Sequence, residues 1–478
     1  MAPTATTKNA PETSARRRSP LRWFATAPDA PRISDPGRID GLYRRNRLSV
    51  LIAITCGYGF AYTCRLPLSV VKKPLLDQGI FGAEWLGIIG TGFSIGYALG
   101  KLVNGFLADH ANVRRFFAAG VLMSALVNLA MSGFVSKWSW LALWTLNGWF
   151  QGAGSPCSAV ALANWFSPRE RGRYYGIFSS SHSLGEGLTF VFTAFLVASL
   201  GWQSGFAGPG IFCILVAFGI LVFLRDRPET IGLPPVADWR NDHPSRAAEP
   251  LSPAESSRNQ WRALRMPAMW ILGLASACMY VSRYAINSWG MLYLQEHRQY
   301  SMVEAGLMLG LNTSAGLAGC IVYGFVSDKL FNARRPPVTL MFGIVEIISL
   351  ILIFYTPPGH PIILSAAFIL FGFTLSGLLA VLGGLFAMDI LGKRSAGAAL
   401  GFIGILSYLG SGVQEWISGR LIQKGISIET VTTINENGQS IVTNIKHYDF
   451  STAITFWIGA SFVSAFLAAL LWKVKTKE

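Results

Sequence analysis

Two stretches of this chain are versions of one another, and they decide how the rest of it is organised. The first reads Gly105-Phe-Leu-Ala-Asp109-His-Ala-Asn-Val-Arg114-Arg115, and the second reads Gly324-Phe-Val-Ser-Asp328-Lys-Leu-Phe-Asn-Ala-Arg334-Arg335. Their aspartates are 219 positions apart. Two further pairs match at nearly the same offset: Tyr62-Thr-Cys-Arg65 with Tyr280-Val-Ser-Arg283, and 181–187 with 406–412. Such an internal repeat predicts two similar halves.

Long apolar runs fill both halves. The 478 residues have a mean hydropathy of +0.41 and only 14% charged residues, whereas a soluble chain carries about a quarter. We therefore expect an all-α membrane protein of twelve transmembrane helices in two pseudo-symmetric six-helix halves, because each run approaches the roughly 20 residues that cross a bilayer. The runs lie at roughly 48–71, 84–108, 115–134, 138–163, 174–200, 204–224, 268–294, 301–327, 336–355, 361–388, 396–421 and 451–472.

The positive charge predicts the topology. The net charge is +15, and 30 of the 40 Lys and Arg residues lie in the N-terminal segment, in every second connecting segment after it and at the C-terminal end. This positive-inside alternation places both termini in the cytoplasm, and in a bacterium the membrane would be the inner membrane. A nucleic-acid-binding patch would not alternate with the membrane crossings, so no nucleic-acid partner is expected. Arg16, Arg17 and Arg18 either serve topology alone or also contact anionic membrane lipid.

Composition also divides the chain. Residues 1–47 are predicted to be a disordered, basic cytoplasmic tail rather than a cleaved signal peptide. The six-helix halves are 48–225 and 266–473, with a polar, proline-rich cytoplasmic linker at 226–265 and a short cytoplasmic tail at 474–478. Within the second half, 425–450 alternates Thr, Val and Ile around Asn437-Gly438, which predicts a small extracytoplasmic β-hairpin. The six cysteines lie inside apolar runs, so neither a disulfide nor a metal or other cofactor is expected.

Ionisable groups inside the runs are expensive and need an explanation. The cations are Arg65, Lys101 and Arg283, and the candidate acids are Glu186, Glu346 and Glu415. Helical spacing places polar companions beside several of them. These companions are Tyr58 and Tyr62 with Arg65, Tyr280 and Asn287 with Arg283, Tyr97 and Asn104 with Lys101, Ser179 and Glu186 with His182, and Tyr408 with Glu415.

The repeat predicts the geometry of the two arginines. Arg65 and Arg283 occupy equivalent positions, so two guanidinium groups would meet across a central cavity and repel unless an anion lies between them. The planar fork of arginine binds phosphate or carboxylate in a bidentate manner, which predicts an oxyanion substrate. The alternative is that each cation, Lys101 included, forms a structural salt bridge with an intramembrane glutamate. His182, likewise, is either part of the site or a satisfied polar residue.

Two further groups of residues carry predictions. Polar groups beside the arginines are expected to read the organic part of the substrate: Ser179, His182, Asn287, Asn312 and Tyr408. The repeated loops are expected to make structural charge contacts at the cytoplasmic face that hold one access state, through Asp109, Arg114 and Arg115 in the first half and Asp328, Arg334 and Arg335 in the second.

Several motifs together resemble one family. They include Gly96-Tyr-Ala-Leu-Gly-Lys101, Asn147-Gly-Trp-Phe-Gln-Gly152, Arg169-Glu-Arg-Gly172, His182 before Gly185-Glu-Gly187, and Arg283-Tyr-Ala-Ile-Asn-Ser-Trp289. With Tyr62-x-x-Arg65, these resemble the organophosphate:phosphate antiporter family of the major facilitator superfamily over about 48–424 and the last span. Its members include glycerol-3-phosphate and hexose-6-phosphate carriers and a membrane sensor of glucose-6-phosphate.

The resemblance implies residue roles and a mechanism. Arg65 and Arg283 would grip the phosphoryl group, with Lys101 and His182 nearby and with Tyr62, Tyr280 and Tyr408 completing the pocket. It also implies exchange of a phosphate ester against inorganic phosphate as the two halves rock about the site. The chain departs from the family pattern at Leu66, at Ser155-Pro-Cys157, and near Asn312 and Thr313. These departures leave the identity of the ester open.

The first hypothesis is therefore a monomeric antiporter that imports a hexose phosphate or glycerol-3-phosphate in exchange for inorganic phosphate. The alternative is a receptor of the same fold that binds a sugar phosphate and signals to a membrane kinase. The paired arginines disfavour a proton-coupled carrier of a carboxylate or drug. An enzyme is not expected, because the sequence shows no nucleophile–base or metal constellation.

Overall fold

The structure, a computed structural model, describes residues 23–242, 265–332, 334–391, 396–434 and 440–474. Ten of its helical segments are long and apolar enough to cross a membrane, which confirms ten of the twelve predicted spans. The other two predicted runs, 138–163 and 396–421, are also helical. The first of them is interrupted near its middle.

In the first half, six spans follow one another with short connections. The first span is broken into α1 (Pro36–Ala61), a 3₁₀ turn (Tyr62–Cys64) and α2 (Pro67–Asp77). The next spans are α3 (Ala83–His110), α4 (Val113–Gly133), the pair α5 (Lys137–Gln151) and α6 (Gly154–Trp165), α7 (Pro168–Leu200) and α8 (Ser204–Phe223). The described part of the linker holds a 3₁₀ turn (Pro228–Ile231) and α9 (Val236–Arg240).

The second half repeats this plan with π-helical interruptions. Its first span is α10 (Pro267–Tyr284), a π segment (Ala285–Trp289) and α11 (Gly290–Glu296). Then come α12 (Met302–Phe325) with a π segment (Val326–Leu330), α13 (Arg335–Tyr355), and α14 (Pro361–Ala380) with a π segment (Val381–Leu385) and α15 (Phe386–Leu391). Last come α16 (Ala396–Lys424), strands β1 (Ile426–Ile434) and β2 (Ser440–Tyr448), α17 (Ser451–Leu470) and a 3₁₀ turn (Leu471–Lys473).

Local sequence signals explain several helix starts. Proline occupies the first position of α1, α2, α7, α10 and α14, where its missing N–H costs no helical hydrogen bond. Ser301 accepts a hydrogen bond from the backbone N–H of Glu304 at 3.3 Å, while the Glu304 carboxylate accepts one from the backbone N–H of Ser301 at 2.9 Å. This capping box sets the start of α12.

The prediction of a disordered tail over 1–47 is wrong for the described residues 23–47. Helix α1 begins at Pro36, and the buried Tyr43 stacks on Trp239 with ring centroids 4.1 Å apart. Farther back, the carbonyl of Phe24 accepts a hydrogen bond from the backbone N–H of Asn112 at 2.7 Å. These partners are distant in sequence, so composition could not reveal them. Residues 1–22, 243–264 of the linker and 475–478 lie outside the described residues.

The structure has two paired strands in the region predicted to form a β-hairpin, and the extracytoplasmic location of this region stays a prediction. β1 and β2 pair antiparallel, with Ile426 opposite Tyr448 and Ile434 opposite Ser440. The Asn437-Gly438 turn lies outside the described residues. We call the end of the bundle that carries these strands the hairpin end, and the opposite end, which carries 224–242, the linker end.

The halves contact each other along three pairs of helices: α2 with α11, α3 with α16, and α7 with α12. Bonds at the hairpin end join them, including the ion pair between Lys73 and Glu296 and that between Arg420 and Glu84 at 2.9 Å. The hairpin adds a contact of its own, because Lys446 donates to the carbonyl of Leu76 in α2 at 2.6 Å. The halves are therefore held together at the hairpin end.

Candidate functional site

Arg65 stands at the break in the first span. The turn that separates α1 from α2 frees backbone carbonyls that a continuous helix would use. The carbonyl of Cys64 accepts bonds from the side-chain amides of Asn128 at 3.1 Å and Asn147 at 2.8 Å, and that of Ala61 accepts one from Gln151 at 2.9 Å. Free carbonyls at membrane depth must be satisfied within the protein. These amides therefore hold the break, and with it Arg65, in place.

The Arg65 guanidinium is buried among aromatic rings. It lies 4.1 Å from the ring centroid of Tyr97 and 4.8 Å from that of Tyr62, and its Nη2 donates to the Tyr408 hydroxyl at 2.8 Å. Only 4% of the residue is exposed, and its Nη1 is buried without a hydrogen-bond partner. Among the described residues, no carboxylate lies within 4 Å of it. Arg65 is thus a buried cation whose charge is uncompensated by the described part of the chain.

Arg283, its counterpart in the repeat, has a different environment. It forms an ion pair with Glu186 of α7, and both side chains are more than nine-tenths buried. Asn287 donates to the other oxygen of Glu186 at 3.3 Å. The alternative of a structural salt bridge, left open by the sequence, therefore describes Arg283 in this structure but not Arg65. The two arginines are equivalent in their positions within the repeat. Among the described residues, however, only Arg283 has a carboxylate partner.

Tyrosines connect the two arginines. The Arg283 guanidinium lies 5.6 Å from the ring centroid of Tyr280, whose ring contacts that of Tyr408 at 5.4 Å. Tyr408 in turn contacts Tyr97 at 4.4 Å and accepts the hydrogen bond from Arg65. The predicted residues Arg65, Arg283, Tyr62, Tyr97, Tyr280 and Tyr408 thus form one continuous cluster between the halves.

Two small cavities adjoin this cluster, of about 30 and 20 Å³. The first is lined by Arg65, Asn287 and Glu415 among others, and the second by His182, Arg283, Asn287 and Asn312 among others. Asn287 lines both. The side-chain oxygens of Asn287 and Asn312 are buried without hydrogen-bond partners in the described structure. Unmade bonds of this kind are costly and suit a ligand that donates them.

The remaining predicted site residues, Ser179, His182 and Lys101, are less buried than the two arginines. His182 is half-buried, with Nδ1 against the carbonyl of Ser179 and Nε2 3.4 Å from the hydroxyl of Ser183. Ser179, one turn along α7, is also half-buried. The Lys101 side chain is exposed and lies one turn beyond Tyr97 toward the linker end. Its charge acts on the hydroxyl of Tyr97, which belongs to the cluster, so the place of Lys101 in the site stays a prediction.

Sequence reasoning missed a third buried cation. Lys72 of α2 is fully buried, with its ammonium 3.2 Å from the Glu415 carboxylate and 3.5 Å from the ring centroid of Trp289. It also donates to Ser288 at 2.5 Å, while Trp289 donates to Glu415 at 3.1 Å. This pair joins the halves. In the sequence, Lys72 is only a lysine that follows the end of a predicted span. Such a lysine usually extends its side chain to the membrane surface.

Charge at the centre is nearly balanced. Three buried cations, Arg65, Lys72 and Arg283, face two buried carboxylates, Glu186 and Glu415. The third predicted acid, Glu346, lies elsewhere and accepts a hydrogen bond from Ser461 at 2.9 Å. The excess of one positive charge therefore resides on Arg65.

The repeated loops make their charge contacts within each half. Arg335 pairs with Asp328 at 2.8 Å and with Asp389 at 2.7 Å, all in the second half. In the first half, Arg115 donates to the carbonyl of Trp23 at 2.8 Å, and Arg114 donates to that of Leu221. The side chains of Asp109 and Arg334 are exposed. A role in holding one access state stays a prediction.

An aspartate outside the repeated loops hydrogen-bonds the start of α4 at the linker end. Asp226 accepts a hydrogen bond from the backbone N–H of Val113 at 2.9 Å, in the first turn of the helix. Burial raises the pKa of Asp226, while Arg227 and Arg115 oppose that shift. The linker therefore begins as an ordered part of the first half.

Comparisons with known proteins identify the family of this chain. The family model for the Major Facilitator Superfamily matches residues 49–414. The membrane sensor protein UhpC of Salmonella typhimurium is 34% identical over 84% of this chain and 91% of its own length. The glycerol-3-phosphate transporter of Bacillus subtilis is 32% identical, over 82% and 89% respectively. A probable hexose phosphate transport protein of Chlamydia trachomatis is 31% identical, over 82% and 88%.

Solved structures show the same fold. A bacterial homologue of the human lysosomal transporter Spinster aligns with a TM-score of 0.65 at 17% identity, over 89% of this chain and 95% of that one. The nucleoside transporter NupG aligns with a TM-score of 0.65 at 13% identity, over 90% and 100%. At such identities the likeness concerns the fold alone.

Proposed function

Because this chain belongs to the organophosphate:phosphate antiporter family of the major facilitator superfamily, we propose that it imports a phosphorylated organic solute in exchange for inorganic phosphate. The single observation that carries the proposal is the buried Arg65 guanidinium, which has one free nitrogen and no carboxylate partner in the described structure. A buried charge without a partner is strongly unfavourable. A phosphoryl group supplies both the counter-charge and the acceptor oxygens.

Arg283 joins the anion by exchanging partners. Glu186 neutralises Arg283 in this structure, so an incoming phosphate would compete with that carboxylate for the guanidinium. A phosphate that spans both arginines makes two bidentate contacts. Glu186 then turns to Asn287, to which it is already bonded, or to a hydroxyl of the solute. The cost of displacing Glu186 limits affinity and lets the anion leave again, as a carrier requires.

Buried amide side chains would recognise the organic part of the substrate. Asn287 and Asn312 offer side-chain oxygens that accept hydrogen bonds from hydroxyl groups, and both oxygens are buried without partners. A site that pairs substrate hydroxyls discriminates strongly against analogues that lack them. A hydroxylated ester of the hexose phosphate or glycerol-3-phosphate class fits this arrangement.

Access to the site follows from where the halves are joined. Ion pairs hold the hairpin end together, so the central cluster would be reached from the linker end in this conformation. Under the positive-inside pattern, that end faces the cytoplasm, and in a bacterium the membrane is the inner one. Alternating access then requires the hairpin-end contacts to break, and also the buried pair of Lys72 and Glu415, which joins the halves nearer the centre.

Exchange, rather than net flux, follows from the charge balance. Without an anion the central cluster carries an excess positive charge, which is costly when the cavity closes and water leaves. A bound phosphate removes that excess. The loaded carrier should therefore reorient faster than the empty one.

Reconstitution tests the function. Purified protein in liposomes loaded with phosphate should take up labelled glucose-6-phosphate or glycerol-3-phosphate, and liposomes without internal phosphate should take up far less. Equal uptake in both would contradict exchange. Uptake of neither ester in phosphate-loaded liposomes, with the protein folded, would contradict transport of this class of solute.

A second candidate is a receptor of the same fold. The observation that favours it is the similarity to the membrane sensor protein UhpC, which is 34% identical over 91% of its own length. A receptor would bind the sugar phosphate at the same cluster and pass the change of conformation to a membrane kinase. Tight ester binding without measurable uptake in the liposome experiment would select this function.

A further inference from the structure

A larger cavity lies at the linker end, well away from the central cluster. It encloses about 440 Å³ between α1, the start of α7 and α9. Its charged lining residues are Asp40, Arg44, Arg47 and Arg240. A volume of this size is typical of a site for a small ligand.

The charges of this cavity do not cancel. Arg47 is buried and pairs with Glu170 at 2.6 Å, and Arg240 lies 3.7 Å from the same carboxylate. Asp40 accepts a hydrogen bond from the indole of Trp239 at 2.6 Å. Arg44 is exposed and has no hydrogen bond or ion pair with any described residue. Three guanidinium groups therefore face two carboxylates, and Arg44 carries the excess charge.

Aromatic rings hold the other arginines in place. The guanidinium of Arg47 lies 4.6 Å from the ring centroid of Phe166 and 5.4 Å from that of Tyr174. That of Arg240 lies 4.3 Å from the ring centroid of Trp239. Stacking of this kind orients the planar forks and limits their side-chain freedom. The cavity thus presents pre-oriented N–H donors of the kind that bind oxyanions.

The cavity and the central cluster share one helix face. Arg44, Arg47, Leu51 and Tyr58 on α1 and Tyr62 in the turn that follows it are separated by 3, 4, 7 and 4 residues, which is the repeat of a single helix face. Residue 65 continues this series just beyond the helix. At 1.5 Å per residue, Arg44 lies roughly 30 Å from that position along the axis. The cavity therefore lies at the linker end, on the face of α1 that continues to the central cluster, and its lining residues belong to the first half and the linker.

We propose that this cavity is a second binding site for a phosphate-bearing anion. The inference rests on the proposed function, because that function supplies the phosphate-bearing anion. A positively charged cavity raises the local concentration of anions. The source that we propose is free phosphate in the solution at the linker end, because the cavity shares a helix face with the central cluster. The headgroup of an anionic lipid has the same chemistry, so the test separates the two sources.

Equilibrium dialysis of labelled inorganic phosphate against purified protein in detergent tests the inference. The wild type should bind two classes of phosphate, one tight and one weak. Arg44→Gln should weaken the weak class by about tenfold or more, the usual value of a charge-assisted bond, and Arg65→Lys should weaken the tight class. Arg45→Gln is the matched control. It makes the same charge change one residue along, on a different face of α1, and should leave both classes unchanged.

The outcomes separate this inference from the proposed function. If the weak class is absent, or is unchanged in Arg44→Gln, the second site is refuted whatever happens to the tight class. If the tight class is unchanged in Arg65→Lys, the proposed central site fails independently. Repeating the measurement in nanodiscs identifies the source: retention of the weak class in anionic lipid indicates a free anion. Its loss in anionic but not in zwitterionic lipid indicates an occupying headgroup.

Discussion

Replacing Glu186 with glutamine should tighten phosphate binding, although it removes a buried salt bridge. The carboxylate pairs with Arg283 when no anion is bound, and both side chains are more than nine-tenths buried. Glutamine keeps the size of the side chain and removes its charge. Phosphate then no longer has to displace a competing anion from the guanidinium.

The expected magnitude follows from the burial of the pair. Removing one partner of a buried ion pair costs roughly 3–5 kcal/mol, because the other charge is left uncompensated. The anion-free variant should be destabilised by an amount of that order. A phosphate that compensates Arg283 regains part of this energy on binding. If about half is regained, affinity rises by at least about tenfold, since each 1.4 kcal/mol is a factor of ten.

Isothermal titration with phosphate measures the affinity, and thermal unfolding with and without phosphate measures the linked change in stability. Glu346→Gln is the matched control, because it makes the same substitution at a buried glutamate that hydrogen-bonds Ser461 and lies outside the central cluster. It should leave phosphate affinity unchanged. Phosphate binding to Glu186→Gln that is equal to or weaker than that of the wild type would refute the competition between Glu186 and the anion.

Two further predictions concern specificity and the closed end of the bundle. Asn287→Ala should weaken a hydroxylated ester by roughly 1–2 kcal/mol more than inorganic phosphate, because a buried acceptor for a substrate hydroxyl is lost; equal losses in competition binding would show that Asn287 does not read the organic part. Gly90→Ala should destabilise the protein by about 1–3 kcal/mol, because its Cβ would lie 2.7 Å from the Glu415 carboxyl carbon and displace that carboxylate. Gly219→Ala, where a Cβ meets no atom within 4 Å, should be neutral or slightly stabilising in the same unfolding measurement, and equal effects of the two substitutions would contradict the packing argument.

The sequence predicts the architecture because its signals are redundant along the chain. Hydropathy identifies the spans, and the common offset between the halves is enough to relate Arg65 to Arg283. The helical period of 3.6 residues predicts that Tyr62 lies beside Arg65 and that Asn287 lies beside Arg283. In the structure the Arg65 guanidinium lies over the Tyr62 ring, and Asn287 bonds the carboxylate that pairs with Arg283. The hairpin was also predictable, because alternation around an Asn-Gly dipeptide is a local signal.

Pairing across helices was not predictable. Periodicity shows which residues share a face, but it does not show which neighbouring helix that face meets, so the bond between Glu186 and Arg283 could not be chosen over other glutamate partners. Lys72 was missed for a different reason. The break at Arg65 and the new helix from Pro67 extend the first span as far as Asp77, so a lysine that follows the predicted run lies in the core.

Phosphate binding to Arg65→Lys tests the central claim most directly. Lysine keeps the positive charge but loses the planar fork, so a bidentate bond to phosphate cannot form. We predict at least about a tenfold loss of phosphate affinity by isothermal titration, the value of one charge-assisted hydrogen bond, with unchanged expression and monodispersity. Phosphate affinity equal to that of the wild type, in a variant that is folded and inserted, would show that Arg65 is structural and that the anion binds elsewhere.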